Sequence, residues 1–118
     1  MKKVLVVDDT VFMRMTLNNF LSHNGYDVVG EAVNGLEAIE KFKELKPDVV
    51  TMDITMPVLT GLEALKEIIE YDPKAKVVMI TAMGQEEMVK KSIMLGAKSF
   101  IVKPFKEEQI VSVLNKLA

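Results

Sequence analysis

The sequence predicts an α/β fold, a doubly wound five-stranded parallel sheet with helices on both faces. Three features predict it. Short runs rich in β-branched residues alternate five times with longer segments whose apolar residues recur at helical spacing. The first of these runs, Val4–Val7, is continuously apolar, as a strand covered on both faces must be. Gly, Pro and Asn stand where one segment gives way to the next. The 118 residues suit one compact domain over residues 1–118, with no linker, internal repeat or low-complexity stretch.

Each element has its own signal. Val4-Leu5-Val6-Val7 reads as the first strand. Thr10 is placed to cap a helix running to about Asn24, and Gly25 follows as its C′ residue. Val28 to Ala32 form the second strand. Asn34 then stands as an N-cap, and Glu37 three residues on makes a capping-box-like pair. Leu36, Ile39 and Phe42 stripe that helix, and Pro47 marks its exit. Val49 to Met52 form the third strand, with Pro57 and Gly61 in the loop beyond. Leu62, Leu65 and Ile69 stripe the third helix, which Asp72-Pro73 ends. Val77 to Thr81 form the fourth strand, and a helix runs from about Gln85 to Leu95, stopped by Gly96. Phe100-Ile101-Val102 form the fifth strand, and Ile110, Val113, Leu114 and Leu117 stripe the last helix.

Composition excludes several classes. The formal net charge is −2, which gives no general pull toward nucleic acid or an anionic membrane. No stretch approaches the roughly 18 apolar residues of a membrane span. The apolar run Val4–Val7 is too short for a secretory signal and ends in two aspartates. There is no cysteine, hence no disulfide, thiolate nucleophile or cysteine metal site. A cytoplasmic domain is expected. Of the nine methionines, Met13, Met15 and Met52 are assigned to packing. For Met88 and Met94 core filling and partner binding are equally open, since one face of their helix must be buried and Met suits adaptable surfaces. The single histidine, His23, falls in the last turn of a helix, where positive charge is tolerated.

In an open parallel sheet the functional crevice lies beyond the C-terminal strand ends, where strand order reverses. That rule brings Asp8-Asp9, Asp53, Thr81 and Lys103-Pro104 to one edge. Singly, each has a plainer reading. Asp8-Asp9 favour a helix N-terminus, Asp53 suits a turn, and Lys103 suits solvent. Together they are costly without a counter-charge. Two unit charges about 4 Å apart repel by roughly 4 kcal/mol at an effective dielectric of about 20. An all-oxygen donor set favours Mg²⁺ over Zn²⁺. A metal, a lysine and a hydroxyl can cradle a phosphoryl group in transfer, with one aspartate as nucleophile.

The segments VLVVDD, VTMDITMPVLTG, ITA and SFIVKPF resemble the receiver domains of two-component response regulators, in order and spacing from Lys3 to Leu117. Within that family the segments VFMRM, MDITMP and GAKSFIVKPF are most similar to the single-domain chemotaxis regulators. The resemblance implies the flavodoxin-like (βα)5 fold with strand order 2-1-3-4-5. It implies that Asp53 is the phosphoacceptor. Mg²⁺ would be bound by Asp9, Asp53 and the backbone carbonyl of Thr55, with Asp8 acting largely through a bound water. Thr81 and Lys103, with Ala82 beside them, would bind the phosphoryl group. Phe100 would be the switch aromatic, and Pro104, after a typically cis bond, would aim Lys103 into the crevice. Val89, Ile93 and Lys106 would contact a partner on the face formed by the fourth helix, fifth strand and last helix.

The partners implied are a CheA-like histidine kinase, a flagellar motor switch protein or other effector, and a phosphatase. Neither nucleic acid nor membrane is among them. The protein would be no enzyme beyond its own phosphoryl transfer and autodephosphorylation. Three positions depart from the better-known pattern. Phe100 replaces a frequent tyrosine and cannot donate a hydroxyl hydrogen bond. Thr55 stands where Asn is also familiar, and Met83 where some relatives carry charge; both flank the path of an attacking water. Other readings fit less well. A Mg²⁺-dependent aspartyl-phosphate hydrolase commonly shows D-x-D-x-T after the first strand, whereas this chain has Asp8-Asp9-Thr10 and no cap insertion. A flavodoxin-like cofactor binder would meet repulsion between its phosphate and two aspartates. A receiver excised from a longer DNA-binding regulator is the remaining alternative.

Overall fold

Successive side chains of a strand point to opposite faces, so a run such as Val4–Val7 is fully apolar only where both faces are covered. The structure, a computed structural model, describes residues 1–117 and covers these strands on both sides. Ala118, the last residue of the expected domain, lies outside the described residues. The elements run β1 (Lys2–Val7), α1 (Val11–His23), β2 (Tyr26–Ala32), α2 (Gly35–Leu45), β3 (Val49–Asp53), α3 (Gly61–Tyr71), β4 (Val77–Ala82), α4 (Glu86–Leu95), β5 (Ser99–Lys103) and α5 (Glu107–Leu117). All pairings are parallel and the order is β2-β1-β3-β4-β5. The expected fold class and strand order are the observed ones. No helix of the described residues is long and apolar enough to cross a membrane.

Strand alternation divides the core into two layers. Leu5, Val7, Val50, Met52, Val77 and Met79 face α2, α3 and part of α4. Val4, Val6, Val49, Val78, Ile80 and Ile101 face α1 and α5. Hence β1, β3 and β4 are almost wholly buried, and β5, at the sheet edge, buries only Ile101. A one-residue register slip would exchange the layers, so the pairing is strongly specified.

Helix ends explain most of the local detail. Asn34 accepts the Glu37 N–H at 2.9 Å as expected, but the Glu37 carboxylate reaches past the cap to the Val33 N–H at 3.1 Å. Thr60 and Glu63 form a full capping box on α3, a signal the sequence reading leaves out. Gly25 and Gly96 take the left-handed conformation after α1 and α4, at φ 82° and 114°.

Three expectations are corrected. Thr10 is the N-cap of α1, but its hydroxyl is turned to donate to the Asp8 carboxylate and accepts no bond from the helix N–H groups. Leu36 is exposed: the buried stripe of α2 is Gly35, Ala38, Ile39 and Phe42, and Leu36 is rotated about 100° from its first member. Met15 is exposed, because the α1 stripe runs through Met13, Leu17, Phe20 and Leu21 and Met15 lies across the helix from Leu17. Met88 and Met94 are exposed as well, which removes the core-filling reading for both.

Candidate functional site

The sheet order reverses at β1, which has β2 on one side and β3 on the other. Val7 lies beside Met52 in register, so the next residues on the two strands, Asp8 and Asp53, emerge as neighbours. Asp53 in turn pairs with Ile80, and Ala82 with Lys103. Parallel register thus delivers Asp8, Asp9, Asp53, Thr81 and Lys103 to one crevice, as the strand-end rule predicts.

One oxygen from each of Asp8, Asp9 and Asp53 lies within 4.8 Å of the others. Asp8 and Asp53 are buried, and Asp9 is exposed. Lys103 Nζ donates to Asp8 Oδ2 at 3.2 Å and to Asp53 Oδ1 at 3.5 Å. Burial pushes the Asp53 carboxyl up from its ordinary 3.8 to about 6. The Lys103 ammonium opposes this through its charge and its hydrogen bond, and the Asp8 and Asp9 carboxylates add to it. Three acids against one lysine leave the crevice short of positive charge. Its donors are hard oxygens in an open setting, which fits a Mg²⁺-like cation.

The surrounding backbone is tightly set. A Cβ on Gly61 would lie 2.0 Å from the Asp53 carbonyl oxygen, so α3 begins against the backbone of Asp53 and only Gly fits. The Gly61 N–H donates to the Ile54 carbonyl at 2.8 Å. Asp8 Oδ1 accepts from both the N–H and the hydroxyl of Thr10, each at 2.9 Å. Arg14 Nη1 donates to the Asp8 carbonyl at 2.8 Å, and its Nε pairs with Glu31 at 2.9 Å. The Lys103–Pro104 peptide bond is cis.

On the opposite rim the Thr81 hydroxyl is buried and donates to Gln85 Oε1 at 2.8 Å. The Ala82 N–H donates to the same oxygen at 2.8 Å. Gln85 Nε2 donates to the Thr55 hydroxyl at 3.0 Å, so one amide joins the loops after β3 and β4. Phe100 is 43% exposed and lines a groove with Thr81, Met83, Val89 and Val102. Val89 is half-buried, while Ile93 and Lys106 are exposed; none of the three lies in the acidic crevice.

Two residues here escaped the sequence reading. Arg14 has a signal: it stands three and seven residues before Leu17 and Leu21, so a charged group lies beside the buried stripe. Gln85 has none: Thr81 and Ala82 are near in sequence, but nothing in the spacing shows that the amide turns back from its helix toward them and toward Thr55, 30 residues away.

A family model of the response regulator receiver domain matches residues 4–115. The chain is 56% identical over 117 residues to the chemotaxis protein CheY of Thermotoga maritima, covering 99% of this chain and 98% of that one. It is 52% identical to the CheY of Bacillus subtilis, covering 97% and 95%. Among solved structures it is similar to the crystal structure of a CheX–CheY–BeF3–Mg²⁺ complex from Borrelia burgdorferi. There the TM-score is 0.94 at 38% identity, covering 99% of this chain and 90% of that one.

Proposed function

Because the chain belongs to the response regulator receiver domain family, we propose that it is a phosphorylation-operated switch that accepts a phosphoryl group on Asp53 and signals in chemotaxis. The observation that carries this is Asp53 itself. It ends β3 inside a trio of carboxylates and within hydrogen-bond reach of Lys103. With its carboxyl raised to about 6, Asp53 is mostly ionised at neutral pH, as a nucleophile must be. An Asp53 oxygen attacks the phosphorus of a phosphohistidine on a CheA-like kinase. The phosphorus–nitrogen bond breaks, the imidazole keeps the electron pair, and an acyl phosphate is left.

Asp9, Asp53 and the Thr55 carbonyl would hold Mg²⁺, with Asp8 through a water; the ion supplies charge neutralisation for the transferring group. The Lys103 ammonium, the Thr81 hydroxyl and the Ala82 N–H then donate to phosphoryl oxygens. Thr55 and Met83 flank the route of a hydrolysing water and set the lifetime. As Thr81 turns toward the anion, Phe100 rotates from its exposed position into the space behind it. That reshapes the face of α4, β5 and α5, where Val89, Ile93 and Lys106 meet a flagellar motor switch protein or another effector. A phosphatase would complete the cycle, all of it in the cytoplasm. The similarity to CheY proteins along nearly the whole chain supports the chemotaxis reading.

Acetyl phosphate with Mg²⁺, read by intact mass, tests the centre of this reading. Wild type gains one phosphoryl group and Asp53→Asn gains none. Equal labelling of the two proteins removes Asp53 from its role.

A further inference from the structure

Gln85 is the N-cap residue of α4, yet its side chain makes no cap bond to its own helix. Its amide points back into the crevice. Oε1 accepts from the Thr81 hydroxyl and the Ala82 N–H, both at 2.8 Å. Nε2 donates to the Thr55 hydroxyl at 3.0 Å. The two donors it occupies are the two assigned above to phosphoryl oxygens. Each has a single hydrogen, so Gln85 and a phosphoryl oxygen compete for them. The neutral amide is the weaker acceptor of the two.

We propose that Gln85 is an autoinhibitory latch: its amide stands in for the phosphoryl oxygen, and its displacement releases the start of α4. This rests on the phosphoacceptor reading of Asp53. The helix it tethers is lightly held. Ser92 is the only fully buried residue of α4, and Met88, Ile93 and Met94 are all exposed. Val89 and Leu95 pack against the core only partly buried, so the ties from Gln85 to Thr55, Thr81 and Ala82 reinforce a thin packing at the N-terminal end of α4. Losing them frees α4 to shift beside the groove that Phe100 lines. Gln85 is thus a positioning residue. It opposes anion uptake at Thr81 and Ala82, and it couples that uptake to α4.

The test uses the full chain with Mg²⁺ and beryllofluoride as the phosphoryl mimic, in wild type, Gln85→Ala and the near-isosteric Gln85→Met. Amide shifts are followed through the titration. Loss of a competitor for two hydrogen bonds lowers the half-saturating beryllofluoride concentration by about fivefold or more in both variants. The unliganded variants also show α4 amides moved toward their wild-type bound positions, which a merely structural role would not produce. If wild type binds beryllofluoride and both variants need the same or a higher concentration, there is no latch. If wild type itself shows no binding, the reading of the site fails and the latch with it.

Discussion

Replacing Asp53 by Asn should stabilise the metal-free protein near neutral pH, although it removes the residue at the centre of the site. Burial, together with the nearby Asp8 and Asp9, raises the Asp53 carboxyl to about 6 despite Lys103. An aspartate in the unfolded chain titrates near 3.9. The folded state thus holds a proton that the unfolded state has lost between pH about 4 and about 6, and stability falls as pH rises through that window. Below it the term is absent, and above it the loss is complete. The gap corresponds to about 3 kcal/mol as a ceiling. Asp53 sits on the floor of an open crevice, so solvent reduces the realised value to about 1–3 kcal/mol. Asparagine keeps the shape and never ionises. Urea unfolding in EDTA, from pH 4 to pH 8, should show the two proteins close at pH 4. The Asp53→Asn variant should draw ahead up to about pH 6 and hold a constant lead beyond it. Mg²⁺ should shrink that lead, since it binds the folded wild type more tightly. A lead that is absent at pH 8, or already full at pH 4, would refute the reasoning.

Other outcomes follow from the same geometry. Mg²⁺ should raise the melting temperature of wild type, and Asp9→Ala should lose most of that rise; an equal rise in both excludes Asp9 as a direct ligand. Thr81→Ala should still be phosphorylated, but should lose most of the change that beryllofluoride causes in the amides of residues 88 to 106; wild-type shifts in the variant would break the link through Thr81 and Phe100. Gly61→Ala must push a methyl group against the Asp53 carbonyl, now 2.0 Å from where the Cβ would sit. Urea unfolding should show a loss of about 1–3 kcal/mol, and labelling by acetyl phosphate should slow. Wild-type behaviour in both assays would mean that this contact yields freely.

The fold was legible because its strands carry an unusually plain signal. Val4–Val7 and Val49–Met52 are apolar at every position but Thr51, which only a doubly covered parallel sheet accommodates. Once they were strands, the residues after them had to share an edge, and Asp8, Asp9, Asp53, Thr81 and Lys103 do. What stayed hidden depends on how side chains turn and how helices pack, which spacing does not show. The Thr10 hydroxyl turned from its cap to Asp8 because a carboxylate was in reach. Leu36 and Met15 were read from hydropathy alone, and the packing of α2 and α1 leaves both outside. Arg14 holds the Asp8 carbonyl and the Glu31 carboxylate at once, a role set by how α1 lies across β1 and β2. The Thr60–Glu63 box differs, because its spacing was in plain view.

The stiff and soft parts of this molecule divide along the line a switch requires. Asp8, just past β1, and Asp53, at the end of β3, are buried and pinned by Thr10, Arg14 and Gly61, so these two cannot drift apart to relieve their repulsion. An ionised Asp53 costs the metal-free fold free energy that a bound cation returns. Gaining differential free energy at the site does nothing unless some element can move in response, because a packed core has few intermediate positions. That element has to be weakly buried and tied to the site by contacts the ligand replaces. α4 meets both conditions, with one fully buried residue and an N-cap side chain bonded to Thr81 and Ala82. A shift of a two-state equilibrium from 1:99 to 99:1 needs about 5.5 kcal/mol. Relief of the Asp53 charge by a cation is felt in either position of α4 and by itself shifts nothing. Under the function proposed above, the bias has to come from hydrogen bonds that differ between the two positions, those that the Thr81 hydroxyl and the Ala82 N–H give to Gln85 in one and would give to a phosphoryl oxygen in the other.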